Sequence, residues 1–185
     1  METDLVTAAV ARAEEASFAY SCDPGVGRLL AALAAAVPEG GRVLELGTGA
    51  GVGLAWLVSG LLPRTDVTVT SVERDPDRAA LAARDGWPPF VDLRTGDALD
   101  LLDRLGAFDL IFADATGGKH VGLDRTIAAL RPRGILLVDD LAPAPGWDDD
   151  LIRKQRAVRD ALLAHERLVA VELDHASGLV LATAR

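Results

Sequence analysis

Only one cysteine, Cys22, occurs in the 185 residues, and aromatic side chains make up 4% of them. A single thiol excludes an internal disulfide and fits a reducing compartment. Cations are in the minority, 19 Lys and Arg against 28 Asp and Glu for a formal charge of −9, which argues against a phosphate backbone as partner. No apolar run approaches the roughly 20 residues that a membrane span requires, the stretch 29–37 being among the longest. The opening Met1-Glu2-Thr3-Asp4 has no basic region ahead of an apolar one, so no secretory signal is read there. No Gly-Lys-Ser or Gly-Lys-Thr occurs, which removes the phosphate loop of nucleoside triphosphatases. These absences leave a cytoplasmic globular protein, with no membrane and no nucleic acid among its expected partners. The length suits a single domain over 1–185.

What the chain does have is a dense stretch at Val43-Leu44-Glu45-Leu46-Gly47-Thr48-Gly49-Ala50-Gly51-Val52-Gly53. A short apolar run closes on an acidic residue, glycines follow at alternate positions, and an apolar helical pattern comes next. The order reads as strand, tight turn and helix N-terminus, the first unit of a doubly wound sheet with a nucleotide-sized site at its carboxyl edge. The dinucleotide fingerprint Gly-x-Gly-x-x-Gly places its last glycine at Val52 or Leu54, according to register, and fails at both. What remains is Glu-x-Gly-x-Gly-x-Gly, and it resembles motif I of the class I S-adenosylmethionine-dependent methyltransferases. A nucleoside without a pyrophosphate needs glycine clearance and an acidic partner for its ammonium and ribose groups, with less demand for a phosphate cradle.

Around this stretch the periodicities alternate. Val6, Val10, Ala13 and Ser17 predict a helix over about 3–19. A second helix is expected over about 24–37, with Asp23 as cap and Pro24 in its first turn. These two form a helical preface, residues 1–40, to a core over 41–185. Leu54, Leu57, Val58 and Leu61 stripe the helix after the glycines. A second strand at 67–72 runs into Glu73, about 20 positions beyond the glycines, where a ribose diol is expected. A third strand ends at Asp97 ahead of a short helix at 98–105, and a fourth, 106–114, ends at Asp114. Leu123, Ile127 and Leu130 stripe the next helix, which Arg131-Pro132-Arg133-Gly134 stops. A fifth strand at 135–138 runs into Asp139-Asp140, and Asp148-Asp149-Asp150 caps a last helix reaching about His165.

The final strands, 168–173 and 179–183, are joined by five residues, too few for a parallel crossover, so they pair antiparallel. The expected fold is α/β: a Rossmann-like doubly wound seven-stranded sheet of five parallel strands plus a C-terminal antiparallel hairpin, with helices on both faces. In such sheets the ligand edge is the carboxyl edge, so Glu45, Glu73, Asp97, Asp114, Asp139 and Asp140 should converge.

Three stretches narrow the resemblance to the small cation-dependent O-methyltransferases of the catechol and caffeoyl-CoA type. They are Asp23-Pro24-Gly25-Val26-Gly27-Arg28-Leu29-Leu30, the strand Phe108 to Asp114, and Leu130 through Asp139-Asp140. The resemblance implies S-adenosylmethionine as cofactor and a small-molecule methyl acceptor. It implies Asp114 as a metal ligand completed by the pair after strand five, here Asp139-Asp140 where the family has Asp-Asn; three carboxylates suit Mg²⁺ or another divalent cation. A metal chelated by two vicinal hydroxyls would lower their pKa and fix their aim. Lys119 stands near the position of the family's general base, displaced by Thr116-Gly117-Gly118, and His120 is the alternative base.

For the cofactor, Glu45, Gly47 and Gly49 map to the methionine and ribose side, with Thr48 beside them and Gly51 and Gly53 completing the glycine series. Glu73 maps to the ribose diol, Asp97 and the Ala98 amide to the adenine, and Asp114 to the methionine amine. Trp147 either stacks on an aromatic acceptor or packs on the last helix. The family is often a homodimer, and the first two helices are available for that contact. The competing readings are a metal-independent N- or carboxyl-methyltransferase of the same fold, an NAD(P)-dependent oxidoreductase, and a non-catalytic nucleoside-binding module.

Overall fold

The computed structural model describes residues 4–84 and 86–185. Its strands are β1 (Arg42–Leu46), β2 (Thr68–Glu73), β3 (Val91–Thr95), β4 (Phe108–Ala113), β5 (Leu130–Val138), β6 (Leu168–Leu173) and β7 (Leu179–Ala184). They form one sheet in the order β3-β2-β1-β4-β5-β7-β6. The first five strands run parallel, while β7 pairs antiparallel with both β5 and β6. The strand order reverses beside β1, between β2 and β4, which is where a doubly wound sheet opens a crevice for a ligand.

Alternation along the central strands divides the core into two layers. Val43, Leu110 and Phe112 face one apolar cluster with α1 (Asp4–Glu15), α2 (Pro24–Ala35) and α3 (Val52–Leu61). Leu44, Leu46 and Ile111 face the other, with α5 (Ala98–Leu105), α7 (Leu123–Ala128) and α8 (Asp149–Ala164). Both faces of the sheet are thereby covered, as a mainly parallel sheet requires. The remaining helices are α4 (Pro76–Ala82) and the short turn α6 (Thr116–Lys119). Among the described residues no helix is long and apolar enough to cross a membrane.

The predicted caps are present: Asp23 accepts from the Gly25 amide at 2.6 Å and Asp148 from the Leu151 amide at 2.8 Å. Two elements differ from their sequence patterns. The expected start of α1 at Thr3 lies outside the described residues, and the helix ends at Glu15, with Ser17 exposed at a positive φ of 50°. Its buried stripe is Val6, Ala9, Arg12 and Ala13, because α1 lies on α3 through its small residues. Leu130 does not extend α7 but opens β5 opposite Phe108. The ladder then shifts and resumes at Leu110 and Ile135. Pro132 has no amide proton to give a ladder, so the intervening residues bulge outward.

Candidate active site

Strand β1 delivers Glu45 and the tight turn after it. Gly47 has φ +106°, and a Cβ there would lie 2.7 Å from the Asp114 carbonyl oxygen, so only glycine lets the turn cross beside the end of β4. Glu45 is 1% exposed. The Ser71 hydroxyl donates to its Oε2 at 2.5 Å, and Ser71 and Thr48 share a second hydroxyl hydrogen bond of 2.5 Å. Oε1 has no partner among the described residues. Burial pushes the Glu45 carboxyl from its ordinary 4.5 up to about 8, with the Ser71 hydrogen bond opposing the rise and Asp114 and Glu73 adding to it. Glu73, at the end of β2, is tied to the turn: its Oε2 accepts from the Gly49 amide at 2.9 Å and its Oε1 from the Asp75 amide at 3.0 Å.

These groups line a cleft of about 730 Å³ at the carboxyl edge of the sheet. Glu45, Gly47, Thr48, Gly49, Gly53, Glu73, Asp97, Ala98, Asp114, Lys119, His120, Asp139 and Asp140 all border it. The convergence expected of the strand-end carboxylates is therefore present. Asp97 also caps α5 through the Leu99 amide at 2.8 Å. Gly51 is the exception. It opens α3 facing Arg12 and Trp87 instead of the cleft, because the turn has by then carried the chain to the α1 side of the sheet. Arg12 donates from Nε to the Ala50 carbonyl at 2.9 Å, which fastens the helical preface to the turn.

The acidic edge carries its own cation. Lys119 is 4% exposed, and its Nζ donates to the Asp139 carbonyl oxygen at 3.1 Å and lies 3.7 Å from Asp114 Oδ1. The Asp139 carboxylate is occupied through Oδ1, which accepts from the Asp140 amide at 2.6 Å and from the Ser177 hydroxyl. Burial pushes Asp114 up to about 8, against the pull of Lys119 and with the push of Asp139 and Asp140; burial raises Asp139 as well, with Ser177 opposing. Among the described residues no three histidine, cysteine or carboxylate side chains come together as a metal site. As arranged, Asp114, Asp139 and Asp140 do not gather into a cation site: the Lys119 ammonium stands between the Asp114 carboxylate and the Asp139 backbone carbonyl, and Ser177 and a backbone amide hold Asp139 Oδ1.

A sequence profile of the family described as Methyltransferase domain matches residues 44–141, more than half of the chain. A Mycolicibacterium smegmatis protein provisionally named an O-methyltransferase is 34% identical over 196 residues, covering 98% of this chain and 90% of its own. The chain belongs to this methyltransferase family. A cofactor-bound crystal structure from MTB aligns at TM-score 0.84 and 28% identity, over 99% of this chain and 90% of that one. The fold is also that of the O-methyltransferase TomG from Streptomyces achromogenes in complex with SAM, at TM-score 0.81 and 24% identity over 100% and 91% of the two chains.

In this methyltransferase the far end of the cleft is bordered by His120, Ala144, Trp147, Leu151 and Gln155. Burial and the neighbouring Lys119 charge hold His120 below its ordinary 6.5, with Gln155 beside it opposing the shift. Gln155 is 4% exposed, and its Oε1 has no partner among the described residues. Sequence reasoning missed Gln155, although an amide at helical spacing with Val158 and Leu162 on a buried stripe is the signal that marks it. It also missed Ser71, a hydroxyl in an apolar strand that pairs in register with Glu45. Ser177 sits in the β6–β7 turn, where no local pattern announces its contact with Asp139.

Proposed function

We propose that the protein transfers the methyl group of S-adenosylmethionine to a hydroxyl oxygen of a small molecule. The observation that carries this reading is Glu45, a fully buried carboxyl group at the glycine turn and in the cleft wall, with one oxygen that meets no donor among the described residues. A buried carboxylate oxygen without a donor is costly, and a cationic ligand such as the methionine ammonium would supply one. Gly47, Thr48 and Gly49 give the clearance. In this reading Glu73 takes the ribose diol, Asp97 and the Ala98 amide the adenine, and Asp114 the ammonium together with Glu45; all of them border the cleft. The volume of about 730 Å³ suits a nucleoside cofactor and a small acceptor together. Oxygen as acceptor atom is supported by the names of the relatives, and a small-molecule acceptor by the charge of −9.

When bound, S-adenosylmethionine supplies a methyl group on a positively charged sulfur: a lone pair of the acceptor oxygen forms the C–O bond, the C–S pair stays on sulfur, and S-adenosylhomocysteine leaves. The residues must aim the acceptor oxygen and take its proton. His120, held below 6.5, is neutral at pH 7 and has a ring nitrogen free to accept that proton. Lys119 is committed to Asp114 and Asp139, so His120 is the base in this reading and Lys119 a fixed charge. Calorimetric titration with S-adenosylhomocysteine, with NAD as control, tests it. Micromolar binding of the first ligand alone is expected; binding of NAD, or of neither, would overturn the assignment.

A further inference from the structure

We propose that the Lys119 ammonium is the resident cation of this cleft, in place of a divalent metal, and holds the methyl acceptor through a single oxygen. The inference rests on the methyltransferase reading above and deepens it. Lys119 is buried and borders the cleft; one of the three N–H donors of its ammonium goes to the Asp139 backbone carbonyl, and a second faces Asp114 Oδ1 at ion-pair distance, 3.7 Å. The third has no acceptor among the described residues, so it is open to a ligand oxygen. The loop around Lys119 is fastened: the Thr126 hydroxyl donates to the Gly118 carbonyl at 2.8 Å, and the Gly118 amide to the Val121 carbonyl at 2.8 Å. Its charge is therefore held at the acidic edge instead of drifting to solvent.

A metal here would have to share the acidic edge with this ammonium and draw on a carboxylate that is already engaged. Asp139 gives its carbonyl to Lys119 and its Oδ1 to Ser177 and the Asp140 amide. The two kinds of cation select different acceptors. A divalent ion binds two adjacent oxygens at once, whereas one N–H donor stabilises one oxygen as its proton departs to His120. The acceptor class is then a single acidic hydroxyl, such as a phenol, with no requirement for a neighbour.

The test is calorimetric titration of Mn²⁺ into the full chain, with and without saturating S-adenosylhomocysteine, for the wild type and Lys119→Met. The wild type is expected to bind Mn²⁺ more weakly than about 1 mM. Lys119→Met keeps the length of the side chain without the charge, and with the carboxylates uncompensated it should bind Mn²⁺ at least about tenfold more tightly. Lys119→Gln serves the same purpose should the methionine variant fail to fold, which its melting curve reports. Wild-type binding tighter than about 1 mM overturns the proposal, and so does a folded variant no tighter than the wild type. Failure of the wild type to bind S-adenosylhomocysteine overturns the cofactor reading instead, and the titration without that ligand still decides the cation.

Discussion

Gly53 leaves the place of its missing side chain to the Glu45 carboxylate: a Cβ built on Gly53 would lie 2.5 Å from Oε1. Gly53 is inside α3, where alanine normally stabilises a helix by up to about 1 kcal/mol. Here the new methyl meets a buried, hydrogen-bonded carboxylate, and overpacking typically costs about 1–3 kcal/mol. The clash wins. Gly53→Ala should melt several degrees lower and bind S-adenosylhomocysteine more weakly. An unchanged melting temperature with unchanged affinity would show that Glu45 is free to move aside.

The same carboxylate makes the unliganded protein pH-sensitive. Glu45 holds its proton to about 8 when folded, against an ordinary 4.5, so the folded state binds the proton more tightly than the unfolded chain. The stability this contributes is fully present below about pH 4.5 and is lost as pH rises through about 8. Asp114, also raised to about 8, acts in the same direction. Thermal melts of the ligand-free protein should therefore fall between pH 5 and 8, and Glu45→Gln should flatten the decline. Binding of a cationic ligand at Glu45 should release protons near pH 7, visible as a buffer-dependent binding enthalpy; a flat melting profile in the wild type would dispose of the linkage.

What the sequence made legible follows from range. The five parallel strands, their terminal carboxylates and the closing hairpin are local patterns, and apart from the alternating β3 the parallel strands end where a short apolar run stops. The cleft-lining role of Glu45, Glu73 and Asp114 follows from topology once the sheet is assumed. Arg12, Ser71, Gln155 and Ser177 were not legible, because each acts on a group between 23 and 38 residues away or through a face set by packing. Ser71 is reached through the pairing of β1 with β2, and Arg12 through the packing of α1 on α3. Lys119 was visible as a residue, but its contact with the Asp139 carbonyl depends on a kink at Gly117 and Gly118 that composition does not specify.

Asp109 provides a control that separates stability from function. Its Oδ2 accepts from the Arg42 amide at 2.7 Å and from Arg131 Nη1 at 2.7 Å, joining the start of β1 to the bulge of β5 at the end of the sheet away from the cleft. Removing the carboxylate leaves a part-buried amide and guanidinium short of an acceptor, at a cost of about 1–3 kcal/mol. Asp109→Ala should lower the denaturant midpoint while leaving S-adenosylhomocysteine affinity within about twofold of wild type. A comparable loss of affinity would mean that the two ends of the sheet are coupled.

Glu73 bears on the cofactor. It is tied to the turn by the Gly49 and Asp75 amides and borders the cleft, so Glu73→Gln removes the charge that a ribose diol would meet and turns an NH2 group toward one of those amides. Hydrogen bonds to a charged group contribute about 1.5–3 kcal/mol, which corresponds to a loss of roughly tenfold to hundredfold in S-adenosylhomocysteine affinity. Calorimetry reads the loss directly, and an affinity equal to that of the wild type would remove Glu73 from the cofactor site.

The acceptor itself discriminates between an ammonium and a metal. Chelation favours two vicinal hydroxyls, whereas a single N–H donor from Lys119 and a proton acceptor at His120 serve one hydroxyl equally well whether or not it has a neighbour. For matched pairs of mono- and dihydroxylated aromatic acceptors, kcat/KM should agree within about threefold once the hydroxyl pKa is matched, and EDTA should leave both unchanged. Trp147, half-buried at that end of the cleft, gives an aromatic ring a face to stack on, worth about 0.5–1.5 kcal/mol. Trp147→Ala should then raise KM for both acceptors alike. A strict preference for the vicinal diol, abolished by EDTA, would return a metal to the mechanism and leave Lys119 as its neighbour.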